Sequence, residues 1–265
     1  MSEEHLLVEK SGHVLIAKMN RPEAKNAFSP NMLARMFEAW ETANADDEVR
    51  CVILTGSETT FCAGADLKAM MSNPAPDDTY AQRFREDADM AWKALLRHYR
   101  LEKPLIAAVE GPAIAGGTEI LQATDIRVAG DTATFGVAEV RRGLFPLGGS
   151  TVRLRRQIPY TLAAEMLLTG MTITAQEALQ YGLIGSVVPA GTALTRALEI
   201  AEAICQNGPL AVKAVKRSLN ATEGLPEDEA LKVELEIGMP VFATEDAKEG
   251  PRAFAEKRPA VFVGR

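Results

Sequence analysis

Three short strand-like runs, each ending in glycine and the first two continuously apolar, constrain this chain most. They are "CVILTG" (51–56), "KPLIAAVEG" (103–111) and "DIRVAG" (125–130). A continuous apolar run of four to eight residues fits a strand buried on both faces. The first two runs lead into small-residue loops and then helical patterns. Strand, glycine loop and helix in succession predict an α/β core with parallel strands. Upstream, residues 5–9 and 13–19 alternate well enough to predict two strands turning at Ser11-Gly12. Ser29 is placed to cap a helix with Pro30 in its first turn. Residues 79–99 read as one long helix, and 72–78 ("SNPAPDD") as a mobile loop. From about residue 160 the pattern is helical apart from "IGSVVP", with helices expected at 160–169, 174–181, 190–207, 209–220, 226–238 and 245–256. The expected organisation is an α/β core over 1–195 and a helical C-terminal region over 196–265, acting as one unit.

Composition excludes several functions. The 265 residues are 47% hydrophobic and carry a net charge of −7, which disfavours nucleic-acid binding through a generally basic surface. Cys51, Cys62 and Cys205 form no Cys-x-x-Cys pair, and their odd number argues against a disulfide framework. The acidic start "MSEEHLLVEK" is no secretory signal, and no stretch approaches the roughly 20 apolar residues that span a bilayer. A soluble, cytoplasmic protein without membrane association is expected.

The histidines, His5, His13 and His98, lie outside glycine-rich or polar loops. No His-Glu-x-x-His metal motif, Gly-x-Ser-x-Gly elbow, phosphate loop or dinucleotide fingerprint occurs. No metal site is expected, and acid–base work falls to carboxylates.

Two loops and two glutamates remain. "FCAGADLKAM" (61–70) follows one strand and precedes a helix, so a ligand can approach its backbone closely. Taken alone, it is a tight turn capped by Asp66. "EGPAIAGGTE" (110–119) repeats the arrangement, with Gly116 and Gly117 at a helix start where N–H groups are unpaired. Taken alone, its glycines serve close packing. If their strands are neighbours, both loops lie at one sheet edge, and one N–H from each can converge on one oxygen. Such an oxyanion hole suits a thioester carbonyl that becomes an enolate. Glu119 sits about one turn beyond Gly116, and Glu139 follows 20 positions later. Singly, each reads as an exposed charge. Together, beside one apolar pocket, they can be pushed apart in pKa so that one accepts and one donates a proton.

The ordered set "NRPEAKNAFSP", "FCAGADLKAM", "GPAIAGGTEI", "TFGVAEVRRGLFP" and "AFAEKR" resembles the crotonase superfamily, specifically its enoyl-CoA hydratases, over essentially the whole chain. It is similar to actinobacterial members, some of which act on steroid side-chain thioesters. The resemblance implies a stack of β-β-α turns with a helical C-terminal trimerisation region, and a homotrimer or homohexamer. It implies addition of water across the 2,3-double bond of a 2-enoyl-CoA in fatty-acid or steroid side-chain β-oxidation. An isomerase or related crotonase-type reaction, or a non-catalytic RNA-associated role, is the alternative. By position, Ala65 and Gly116 match the oxyanion-hole donors, and Glu119 and Glu139 match the catalytic pair. Ala63, Ala65, Asp66, Leu67, Lys68 and Gly116 match the segments lining the CoA site, and Phe254 and Lys257 its adenine and phosphate end. CoA is part of the acyl-CoA substrate, and no separate cofactor is implied.

Three positions depart from the pattern. Thr118 ends a three-glycine run, Ala138 replaces a proline, and Leu147 stands where small residues are frequent. Arg141, Arg142, Arg153, Arg155 and Arg156 are read either as CoA-phosphate contacts or as surface and interface ion pairs. Met70-Met71 and the 72–78 loop are read as core edge and linker, or as part of the acyl pocket.

Overall fold

The computed structural model describes residues 4–71 and 79–265. The main sheet contains β1 (Leu6–Ser11), β2 (Val14–Met19), β3 (Cys51–Thr55) and β4 (Leu105–Val109). A short β5 (Pro112–Ile114) leaves this sheet, and β6 (Ile126–Gly130) returns to it. β7 (Thr134–Gly136) and β8 (Thr172–Thr174) join β5, and β9 (Ser186–Val188) closes the main sheet. The six-stranded order is β1-β2-β3-β4-β6-β9, parallel from β2 onward, with β1 antiparallel at the edge. The second sheet, β5-β7-β8, pairs β5 parallel to β7 and β7 antiparallel to β8.

The helices explain why the central strands are apolar throughout. α1 (Pro30–Ala45) starts where expected, its Ser29 hydroxyl accepting the Met32 N–H at 3.1 Å. Met32, Met36, Phe37 and Trp40 of α1 share a core with Val52, Leu54, Leu105 and Ala107. Cys51, Ile53, Ile106 and Ala108 point the other way, toward Ala193, Ala197 and Ala201. Those alanines belong to α9 (Ala193–Cys205). Because successive side chains alternate faces, a strand covered on both sides must be apolar at every position. α9 therefore seals the sheet while crossing the expected 195/196 boundary. Its four-residue alanine spacing presents one small-residue stripe to the strands.

Between α1 and α9 lie α2 (Leu67–Met71), α3 (Thr79–Glu86), α4 (Met90–Ala94), α5 (Gly116–Leu121), α6 (Ser150–Gln157), α7 (Tyr160–Thr169) and α8 (Ala175–Gln180). α10 (Pro209–Ala221), α11 (Glu227–Gly238) and α12 (Glu245–Ala255) complete the C-terminal part. The expected continuous helix over 79–99 is broken into α3 and α4. Asp87 accepts the Asp89 N–H at 3.0 Å and pairs with Lys93 at 2.7 Å, so its side chain competes with the helical ladder there. The expected mobile loop over 72–78 lies outside the described residues. Among those residues, no helix is long and apolar enough to cross a membrane.

Candidate active site

β3 and β4 are paired neighbours, so the loops that follow them emerge side by side. They are joined directly. Cys62 forms a parallel bridge with Ala113, its N–H reaching the Pro112 carbonyl at 3.1 Å and its carbonyl accepting the Ile114 N–H at 2.8 Å. On the other side, Phe28 bridges Ala65. The Phe28 N–H donates to the Gly64 carbonyl at 2.8 Å, and the Phe28 carbonyl accepts the Asp66 N–H at 3.2 Å. In such a bridge the central residue turns its own N–H to the opposite side. The Ala65 N–H therefore faces away from Phe28.

The second loop turns sharply at Ala115, a non-glycine residue at φ 54°, ψ −125°. Its N–H is tied to the Gly136 carbonyl at 2.7 Å. A residue held in this sparsely populated region signals a conformation imposed by its surroundings. The turn starts α5 at Gly116, whose N–H is among those a helix leaves unpaired. Among the described residues, neither the Ala65 nor the Gly116 N–H has an acceptor within the protein. Gly64 shows how close the loops come: a Cβ there would lie 2.7 Å from the Ala115 Cβ and 3.1 Å from the Gly116 nitrogen.

α5 carries Glu119 into the interior, where it is 4% exposed. One of its oxygens accepts the Ser150 N–H at 3.1 Å. That N–H belongs to the first residue of α6, where partial positive charge suits a carboxylate. Gly148 allows this approach, because a Cβ there would fall 2.6 Å from a Glu119 carboxylate oxygen. Glu139 opens a 3₁₀ turn, Glu139–Arg142, just beyond β7. Its Oε2 is buried, with no hydrogen-bond partner among the described residues. Burial, and then the neighbouring charge of Glu119, push the Glu139 carboxyl up from 4.5 to about 7. The two acids thus interact, and neither is an isolated surface charge.

The other expected residues divide. Asp66 caps α2 by accepting the Lys68 and Ala69 N–H groups, each at 3.0 Å, and pairs with Arg21 at 2.6 Å. Burial opposes its charge, yet the Ala69 N–H and Arg21 outweigh that and hold its carboxyl below the usual range. Ala63 donates its N–H to the Lys25 carbonyl at 3.0 Å. Leu67 and Lys68 are exposed on α2 beside Ala65, and Met71 is exposed as well. Phe254, 86% exposed, and Lys257 lie at the far end of α12 and just past it. No hydrogen bond among the described residues connects them to residues 63–68.

Within the arginine group, Arg153 donates to the Leu96 carbonyl at 2.7 Å, Arg156 pairs with Glu223 at 3.1 Å, and Arg141 reaches the Thr169 carbonyl at 3.2 Å. Arg142 and Arg155 are exposed. The α6 N-terminus that holds Glu119 is a feature the sequence reading did not assign. Its signal was "GGST", two glycines before a short helical run.

A chain built this way has likenesses among known proteins. The family model described as enoyl-CoA hydratase/isomerase matches residues 9–265. An enoyl-CoA hydratase of Mycobacterium tuberculosis, EchA19, is 58% identical over 98% of this chain and 96% of its own length. An (E)-benzylidenesuccinyl-CoA hydratase of Thauera aromatica is 36% identical over 97% of this chain and 98% of its own length. Among solved structures, an enoyl-CoA hydratase from Mycobacterium tuberculosis superposes with a TM-score of 0.90 at 40% identity, covering 99% of this chain and all of that one.

Proposed function

Since the chain belongs to the enoyl-CoA hydratase/isomerase family, we propose that it hydrates a 2-enoyl-CoA to a 3-hydroxyacyl-CoA. The observation that carries this reading is the interacting pair Glu119 and Glu139, together with two backbone N–H groups, on Ala65 and Gly116, that have no acceptor among the described residues. The thioester oxygen takes those two N–H groups. Negative charge then accumulates on an oxygen already met by donors that need no reorganisation. Water adds its oxygen to C3 as the C2–C3 π electrons move toward the carbonyl. Glu119, an acceptor already oriented by the Ser150 N–H, takes the proton from water. Glu139, raised to about 7, retains a proton near neutral pH and delivers it to C2. Transfer of a proton from Glu119 to Glu139 resets the pair. Because the two acids interact, their titration belongs to the pair as a whole.

The CoA portion extends along Ala63 to Lys68, with Phe254 and Lys257 at its adenine and phosphate end. The setting is fatty-acid or steroid side-chain β-oxidation. Leu144, Phe145 and Leu147, all exposed in the segment after Glu139, are consistent with a bulky apolar acyl group. The assembly is a homotrimer or homohexamer. Supporting this is the apolar face formed by Val215, Leu219, Leu235 and Phe242, each at least 60% exposed in the single chain.

The deciding experiment offers short, long and steroid-derived enoyl-CoA thioesters and follows loss of absorbance of the conjugated thioester. Product analysis must yield 3-hydroxyacyl-CoA. A shifted double bond without added water would assign an isomerase instead.

A further inference from the structure

Thr118 occupies the third position of a run whose first two members are glycines, and its side chain is fully buried. The hydroxyl makes two hydrogen bonds. It donates to the Ala113 carbonyl at 2.5 Å and accepts the Gly136 N–H at 3.1 Å. Ala113 lies in β5, which leads into the α5 turn, and Gly136 ends β7, three residues before Glu139. The peptide groups flanking Gly136 are held at both ends, because its carbonyl accepts the Ala115 N–H at 2.7 Å. Glu119 is the residue immediately after Thr118. One hydroxyl therefore joins the segment carrying the first carboxylate to the segment carrying the second.

We propose that Thr118 is a positioning residue that sets the separation of the Glu119 and Glu139 carboxylates and thereby the rate of proton transfer to and from substrate. The inference rests on the hydratase reading. β5 and β7 pair over only three residues, so their backbone ladder is a short splint between the two acids. The Thr118 hydroxyl adds the link nearest to both. Without it, the Gly136 N–H loses its hydroxyl acceptor, and only the Ala115–Gly136 bond and the short ladder hold the turn into Glu139 against α5. Displacements of about 1 Å at reacting groups change rates by up to about 10²-fold.

The test compares wild type with Thr118→Val, Thr118→Ala and Thr118→Ser, using crotonyl-CoA as substrate and free CoA as a binding probe. Valine and alanine should lower kcat about 10- to 100-fold with little change in KM or in CoA affinity. They should also move the pH–rate profile to lower pH, because Glu139 no longer feels Glu119 as strongly. Serine, which keeps the hydroxyl, should restore both kcat and the profile. If valine and alanine keep wild-type kcat and pH dependence, the inference is overturned. It is equally overturned if both weaken CoA binding in parallel with kcat, since Thr118 would then act only through overall structure. Should valine prevent folding, the smaller alanine variant decides. No hydration by the wild type would overturn the hydratase reading itself, a result separate from any variant.

Discussion

Glu139→Gln should make this protein more stable at alkaline pH while nearly abolishing its activity. The Glu139 carboxyl stands at about 7 in the folded chain against 4.5 ordinarily. The folded state therefore holds a proton that the unfolded chain releases. Between about pH 4.5 and 7, rising pH favours the unfolded state, and above 7 the penalty levels off. At about 1.4 kcal/mol per pH unit, the full difference corresponds to roughly 3 kcal/mol. Solvent reaches part of this half-buried group, which lowers the realistic figure to about 1–2 kcal/mol. Glutamine mimics the protonated acid in shape and charge. Denaturant unfolding should show variant and wild type equal at pH 4.5, with the variant ahead by about 1–2 kcal/mol at pH 8. In the same preparation, kcat should fall by on the order of 10²–10⁴. A stability difference that stays constant from pH 4.5 to 8 would falsify the assignment of a strained, partly buried charge pair. Near-wild-type hydration would remove Glu139 from the chemistry.

Three further outcomes follow from the same geometry. Glu119→Gln should lower kcat by a similar 10²–10⁴, and titration of the remaining Glu139, followed by NMR, should move to lower pH once its charged neighbour is gone. Gly148→Ala places a methyl group where a Glu119 oxygen lies 2.6 Å away. It should cost about 10- to 100-fold in kcat with the fold retained by circular dichroism, and an unchanged kcat would show that this approach is not needed. Ile53→Ala removes a fully buried side chain between β3 and α9. Chemical unfolding should register a loss of about 2–5 kcal/mol, with kcat of the folded fraction unaffected.

Local sequence determined the element types wherever local forces suffice. Strands β3 and β4 announced themselves as unbroken apolar runs, because both of their faces are covered, and β6 as a short run broken by Arg127. Ser29 and Pro30 marked the start of α1 because a cap needs only neighbouring residues. The C-terminal helices followed their 3.6-residue period, and the ordered motifs carried the family resemblance. Elements whose existence depends on distant partners were not legible. β5, β7 and β8 are three residues each, too short to display a period, and they exist because they pair with one another. The break between α3 and α4 depends on a side chain competing for backbone N–H groups. α6 was missed as well, although its first N–H orients Glu119.

The site divides in the same way. Sequence order placed Gly116 and Glu119 one turn apart, because a helix fixes that distance internally. It could not place Ala65 against Gly116, nor Glu139 against Glu119. Those meetings depend on β3 lying beside β4 and on β5 pairing with β7. Tertiary packing also decides that one glutamate meets a helix N-terminus while the other keeps a buried oxygen with no partner among the described residues. The environment around a carboxylate sets its proton affinity, and chain segments far apart in sequence supply that environment here.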